Sequence, residues 1–223
     1  MKKSWVFGGI LALASMQAVA GGHLGYGVSW SGHFQLSSND VYWGESTTGG
    51  RPALAGGLRA QHEDSGFYVG TNAVSQMGNG NYMELDVHVG KQTKLNDTVT
   101  LDLSLNRKFH PGDSEGEHAT VFYGKITHEV YGKRIGFRVS GLSYTELQVD
   151  GAYALGMNSY AFGELGYVDY GSSQFHPNDD TRYYAGIGLG YAFQALTFKI
   201  GYYDSTAKSS DGGELMASVG VTF

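Results

Sequence analysis

Cysteine is absent from the 223 residues. No disulfide framework and no thiolate metal site can form, and the absence fits passage through an oxidising compartment where stray thiols would mispair. Charge is sparse. Asp, Glu, Lys and Arg make up 16% of the chain, against roughly 25% in a soluble globular domain. Only 3 prolines occur, which argues against a glycine-rich disordered chain. No stretch of the chain beyond its start has the ~18 consecutive apolar residues that a spanning helix needs, which argues against an inner-membrane helical protein. What the chain does hold is glycine and tyrosine. There are 35 Gly and 16 Tyr, with aromatics at 13%. Glycine is thus about twice its usual share of ~7%. Such a composition suits many strands joined by glycine-rich turns.

The start of the chain has the form of a targeting segment. Lys2 and Lys3 precede a short apolar run from Trp5 to Met16, and Ala18-Val19-Ala20 has the small-x-small form of a cleavage site. The expectation is a secretory signal peptide over residues 1–20 and one domain over 21–223. Cleavage would remove Lys2 and Lys3 and no acid, leaving 13 basic against 21 acidic residues, a net charge of −8. An acidic chain is a poor partner for nucleic acid.

Period-two alternation runs through the rest of the chain. Leu24, Tyr26, Val28, Trp30, Phe34 and Leu36 share one parity, with Gly, Ser, His33 and Gln35 on the other. Met83, Leu85, Val87 and Val89 alternate with Glu84, Asp86, His88 and Gly90. Val99 to Phe109, Tyr183 to Phe193, Leu196 to Tyr202 and Leu215 to Phe223 repeat the pattern. Segments near 53–61, 66–75, 118–129, 134–143 and 146–155 follow it with one or two exceptions each. Around Tyr160 to Tyr170 the parity is mixed, and a bulge there would reset it. Successive residues of a strand face opposite sides. The pattern predicts an all-β fold, a single antiparallel up-and-down transmembrane barrel of about twelve strands.

Connection lengths give a second test. With the N-terminus periplasmic, extracellular loops should be long and periplasmic turns short. Ser38 to Arg51, Pro111 to Glu117, Gly171 to Asp180 and Ser205 to Gly213 are the long candidates. His62 to Ser65, Val130 to Lys133, Gly156 to Asn158 and Gln194-Ala195 are the short ones. Ser143 to Thr145 breaks the rhythm, being short where a long loop is due. The chain closes on Phe223 at the end of an alternating strand, the form of signal read by the barrel-assembly machinery. Outer-membrane lipid and that machinery are the expected partners.

Three stretches carry a family resemblance: Ser38-Asn39-Asp40-Val41-Tyr42-Trp43-Gly44-Glu45-Ser46 through Arg51-Pro52-Ala53-Leu54-Ala55-Gly56-Gly57-Leu58, Ser65-Gly66-Phe67-Tyr68-Val69-Gly70-Thr71-Asn72, and Tyr82-Met83-Glu84-Leu85-Asp86. The chain resembles the TorF-type family of porin-like proteobacterial outer-membrane barrels. The resemblance covers nearly all of residues 21–223, and its specific words lie in roughly the first third. It implies a small exported barrel ending in Phe. The family often has a basic residue where Trp43 stands, so a passage role carried by that residue would differ here.

The polar parity marks the candidate lumen: Arg59, Glu84, Asp86, His88, Asp102, Lys108, Lys125, Arg138, Asp150 and Lys199. Charges of both signs inside a barrel can set a transverse field for hydrated solutes, or they can pair and fill the interior. A barrel of about eight strands is filled by side chains, and one of 16–18 leaves a water channel, so twelve does not decide. Glu84-x-Asp86-x-His88 points one way along one strand, a spacing suited to a cation but commoner as a wetted polar face. His176 to Asp180 and Asp113-Ser114-Glu115 offer oxygens for Ca²⁺ without the spacing of a calcium loop. His118 and Ser143 face outward by parity and could form half of an acyl nucleophile, but no third member and no Gly-x-Ser-x-Gly accompanies them. Tyr26, Trp30, Tyr160, Tyr183 and Tyr191 fit an interfacial aromatic band.

These features predict an outer-membrane channel for small polar solutes, with no enzymatic activity, no metal and no cofactor. The alternatives are a filled barrel working through Ser38 to Arg51 and other exposed loops, and a lipid-acting enzyme at His118 and Ser143.

Overall fold

The computed structural model describes residues 21–76, 82–111, 118–170, 181–206 and 212–223. The expected signal peptide lies outside these residues. So do the oxygen clusters at Asp113 to Glu115 and His176 to Asp180, most of the Pro111 to Glu117 and Gly171 to Asp180 loops, and the middle of Ser205 to Gly213.

Among the described residues, fifteen strands run in chain order: β1 (His23–Gly25), β2 (Val28–Ser37), β3 (Val41–Tyr42), β4 (Glu45–Ser46), β5 (Ala53–His62), β6 (Phe67–Gln76), β7 (Tyr82–Lys94), β8 (Val99–Phe109), β9 (Ala119–Val130), β10 (Lys133–Leu142), β11 (Thr145–Gly156), β12 (Ser159–Asp169), β13 (Thr181–Phe193), β14 (Leu196–Ser205) and β15 (Glu214–Thr222). Strand β2 and strands β5 to β15 each pair with their sequence neighbours, and β15 returns to β2. The result is a closed antiparallel barrel of twelve strands. Closure leaves no free sheet edge, which is the condition for strands to cross lipid. The outer face carries the apolar parity. Leu58, Val69, Val87, Leu105, Ile126, Phe137, Leu165, Ile187 and Ile200 are all exposed there.

Two expectations need correction. The segment from Leu24 to Leu36 is not one strand. Gly25, Tyr26 and Gly27 all have positive φ, and the chain doubles back so that His23 pairs with Ser29. Tyr26 is fully exposed at that turn. Two flanking glycines tolerate the left-handed backbone, and alternation alone does not register such a reversal. The second correction concerns β12. It pairs with β13 in unbroken register from Ser159↔Tyr191 to Asp169↔Thr181, so no bulge resets its parity. The parity looked mixed because Tyr160, Phe162 and Val168 are apolar yet point inward with Glu164.

Inward aromatics are accommodated by glycine on the facing strand. Tyr160 lies opposite Gly190, Phe162 opposite Gly188, Tyr184 opposite Gly166, Tyr203 opposite Gly186, and Tyr68 opposite Gly90. At each of these glycines a Cβ would run into the facing ring. Such cross-strand pairing lets the ring lie flat against the wall, and it accounts for the joint excess of Gly and Tyr. It also removes Tyr160 from the interfacial band, whereas Tyr183 and Tyr191 stand exposed on the outer face near opposite ends of β13.

The long–short rhythm holds. Short turns join β5 to β6, β9 to β10, β11 to β12 and β13 to β14 at the end bearing the termini. A fifth, between β7 and β8, is held by the Asn96 carboxamide accepting from the Thr98 and Val99 amides at 2.9 and 2.8 Å. At the opposite end, Ser143-Tyr144 is the short exception.

Candidate functional site

The β2–β5 connection does not stand out in solvent. Strands β3 and β4 form a hairpin, with Val41 facing Ser46 and Tyr42 facing Glu45. Its two tip residues, Trp43 and Gly44, both have positive φ (51° and 77°), as a type I′ turn requires. The base is tied by Asn39, whose Oδ1 accepts from Ser46 Oγ at 2.6 Å and Thr48 Oγ1 at 2.9 Å. Asn39 in turn donates to Glu214 on β15 at 3.0 Å. The reading of Ser38 to Arg51 as an exposed loop is thereby overturned: Asn39, Trp43 and Thr48 are buried.

Trp43 enters the barrel. Its ring is 8% exposed and packs edge-on against Tyr144 and Tyr170 at centroid distances of 4.9 and 5.2 Å. Its indole Nε1 donates to Glu146 Oε1 at 3.0 Å. The same oxygen accepts from Tyr184 at 2.6 Å and from Arg138 at 2.8 Å. Glu146 is wholly buried, so three donors, one of them cationic, compensate its desolvation. Tyr42 reaches Tyr144 at 3.2 Å and accepts from Lys108 at 3.4 Å, while Glu45 pairs with Arg182 at 2.6 Å. The hairpin thus touches walls on β8, β11, β13 and β15, and it occupies the end of the lumen opposite the termini. The short β10–β11 connection is part of this device, because it delivers Tyr144 to the centre of the cluster.

Beyond the Trp43 cluster lies a cavity of about 550 Å³. Gln35 on β2 and Lys125 on β9 both line it. These strands lie on opposite walls, so the cavity is barrel interior. Arg138, Asp150 and Lys199 line it as well, as do Arg134, Gln148 and Glu164.

The ten residues singled out by parity fall into three groups. Lys125, Arg138, Asp150 and Lys199 share this cavity. Lys125 and Arg134 both pair with Asp150, at 2.6 and 3.3 Å. On β5 to β8, Arg59 lies over the Tyr68 ring at 3.5 Å and 4.0 Å from Asp102, which accepts from the Tyr68 hydroxyl at 2.5 Å. Glu84 pairs with Lys108 at 3.0 Å and His110 at 3.4 Å, whereas Asp86 contacts His88 at 2.8 Å and Asn106 at 3.2 Å. The three residues Glu84, Asp86 and His88 therefore do not converge on one point. Parity missed Arg134, Glu146, Glu164 and Arg182. Arg134 and Glu146 share an inward parity with Arg138 and Asp150, and Arg182 with Tyr184 and Gly186, signals that were present, whereas the mixed parity of β12 hid Glu164. The Trp43 insertion left no periodic signal.

The proposed nucleophile pair is not assembled. Ser143 Oγ donates to the Thr120 carbonyl at 2.9 Å and accepts from its amide at 3.0 Å, and the His118 ring packs on Phe109 at 5.3 Å. No hydrogen bond joins His118 to Ser143 among the described residues.

A closed twelve-strand barrel with an apolar exterior and a polar, partly plugged interior has the architecture of a transmembrane β-barrel. Solved structures carry the same fold. The KdgM porin matches with a TM-score of 0.60 at 11% identity over 86% of this chain and 98% of that chain. The NanC porin matches at 0.59 and 13% over 87% and 98%. LpxR from Salmonella typhimurium matches at 0.53 and 8% over 86% and 99%. No curated protein sequence matches. The chain belongs to the bacterial family Gcw_chp, described as of unknown function, whose model matches residues 20–217.

Proposed function

We propose that this protein is an outer-membrane channel for small polar solutes, whose bore is narrowed by the Trp43 hairpin and whose wall carries charges of both signs. The observation that carries the reading is the cavity of about 550 Å³ inside a closed barrel, lined by ionic and hydrogen-bonding side chains. An interior that served only to hold the barrel together would be packed, as small barrels are. The TorF-type resemblance points the same way, and export by cleavage after residue 20 is part of the proposal.

The test is single-channel conductance of the refolded mature protein in a planar bilayer, beside Trp43→Ala. Discrete steps that grow several-fold in the variant support the reading. Silence from both, with folding verified by heat-modifiable gel mobility, overturns it. It would favour a filled barrel, a reading that draws on the closure of the Trp43–Glu146 cluster across the lumen. If conduction is seen, substitution of Asp86 or Lys125 tests whether the wall sets selectivity.

A further inference from the structure

We propose that the cavity beneath the Trp43 hairpin is a binding chamber for a small organic anion, with Lys199 as its free cationic head. This rests on the reading of the lumen as a solute path.

The chamber differs in charge from the chain around it. Lys125, Arg134, Arg138 and Lys199 line it, and the carboxylates that face them are Asp150 and Glu164, with Glu146 beyond the lining on Arg138. Four cationic heads therefore meet three carboxylates, inside a protein whose formal net charge is −6. The pairing is uneven. Asp150 is shared by Lys125 and Arg134, Arg138 is held by Glu146, and Glu164 accepts from Gln148 at 2.9 Å. Lys199 has no carboxylate within 4.0 Å among the described residues. Its ammonium lies 6.0 Å from the Phe162 ring centroid, and the residue is exposed to the open space of the chamber.

An ammonium in a narrow chamber with low-dielectric walls attracts an anion more strongly than one in bulk water, because the walls focus its field. Lysine and arginine lining is also the device of anion-selective pores. Arg134, 45% exposed at its side chain, lines the same chamber from β10 and offers further N–H donors to a carboxylate or phosphate. A volume of about 550 Å³ falls within the ~300–1,000 Å³ of small-molecule sites. Tyr160, Phe162 and Tyr203 give the chamber apolar faces for a carbon skeleton. The expected ligand is a solute of about six carbons bearing one anionic group.

The experiment titrates the refolded mature protein in detergent, at low ionic strength, with gluconate, with sorbitol as its neutral counterpart, and with inorganic phosphate, read by calorimetry. Gluconate should bind at least tenfold more tightly than sorbitol, and Lys199→Gln should remove most of that preference while leaving heat-modifiable mobility intact. Phosphate binding as tightly as gluconate would show that the anionic group alone is recognised, and weaker binding that the skeleton contributes. Either outcome supports the chamber. Equal affinity for gluconate and sorbitol, or an unchanged preference in Lys199→Gln, overturns it. The two readings separate cleanly. Conduction without anion preference sinks the chamber and spares the channel, whereas gluconate binding with a silent bilayer does the reverse.

Discussion

Glu146 concentrates the largest stakes in a single side chain. It is fully buried and gathers Trp43, Arg138 and Tyr184 on one oxygen. Removing one member of a buried charge pair leaves the other uncompensated, at a cost of about 3–5 kcal/mol. Glu146→Gln is therefore expected to lower the urea midpoint and to release the Trp43 ring. In residues 21–223, which lack Trp5, and with Trp30→Phe as background, the fluorescence of Trp43 should shift to the red as its ring meets water. An unshifted spectrum would mean that aromatic packing alone holds the tip. Asp40, at the base of the hairpin, makes a pH prediction. Burial pushes its carboxyl above the ordinary carboxylate range, opposed by the Thr47 hydroxyl it accepts from. A raised folded value favours the protonated form. The stability it adds is thus present below the unfolded pKa of ~3.9 and is lost as pH rises through the folded value. The urea midpoint of Asp40→Asn should match the parent near pH 3.5 and exceed it progressively toward pH 7. A difference that stays constant with pH would rule this out.

At the scale of elements, the barrel strands were legible because one face must meet apolar surroundings and the other polar ones. Where the inward face was itself apolar, the code became ambiguous. Strand β12 is the case in point. Tyr160 read as an outward residue and the parity around it as mixed, yet Tyr160 and Phe162 fold inward because Gly190 and Gly188 leave room on β13. Only the pairing of two strands reveals that complementarity, and a single strand's periodicity cannot carry it. The hairpin of β3 and β4 was illegible for a related reason. Its residues were read as a loop because their partners, Lys108, Tyr144, Glu146 and Arg182, lie 66 to 137 positions away in sequence. Half of the candidate site was legible as parity on the wall, and the plug that divides it was not. The glycine–aromatic pairs predict a substitution effect. Gly166→Val would drive a branched side chain into the ring of Tyr184, the residue that donates to Glu146. Overpacking of this kind costs about 1–3 kcal/mol. The unfolding free energy measured in urea should fall by that amount, and Gly141→Val, at a position where a Cβ meets nothing within 4 Å, should leave it nearly unchanged. Equal losses at both positions would mean that glycine serves the backbone rather than the rings.

The barrel as a whole closes at one seam, and that seam is short. Strands β15 and β2 pair through five residues, Ser218 to Thr222 against Ser37 to His33, whereas β11 and β12 pair through eleven. Beyond the ladder, the Gly32 amide donates to the Phe223 carbonyl at 2.6 Å, and the Phe223 amide to the Gly32 carbonyl at 2.9 Å. The Phe223 ring lies against Trp30 and Phe34, at centroid distances of 6.0 and 6.1 Å, over the space left by Gly32. Phe223 therefore helps to hold the seam of the folded barrel. Phe223→Ala keeps both backbone bonds but removes the ring that covers the seam. Large-to-small truncation at a packed aromatic costs about 3–5 kcal/mol when fully buried, and less here because Phe223 is half-buried. The variant, refolded in detergent without any assembly factor, should lose its heat-modifiable compact form at a lower temperature than the parent. Phe223→Tyr, which retains the ring, should not. If Phe223→Ala melts with the parent in vitro while failing to reach the membrane in cells, the ring acts only in recognition by the assembly machinery. If it melts early in vitro, the ring holds the seam of the cylinder itself.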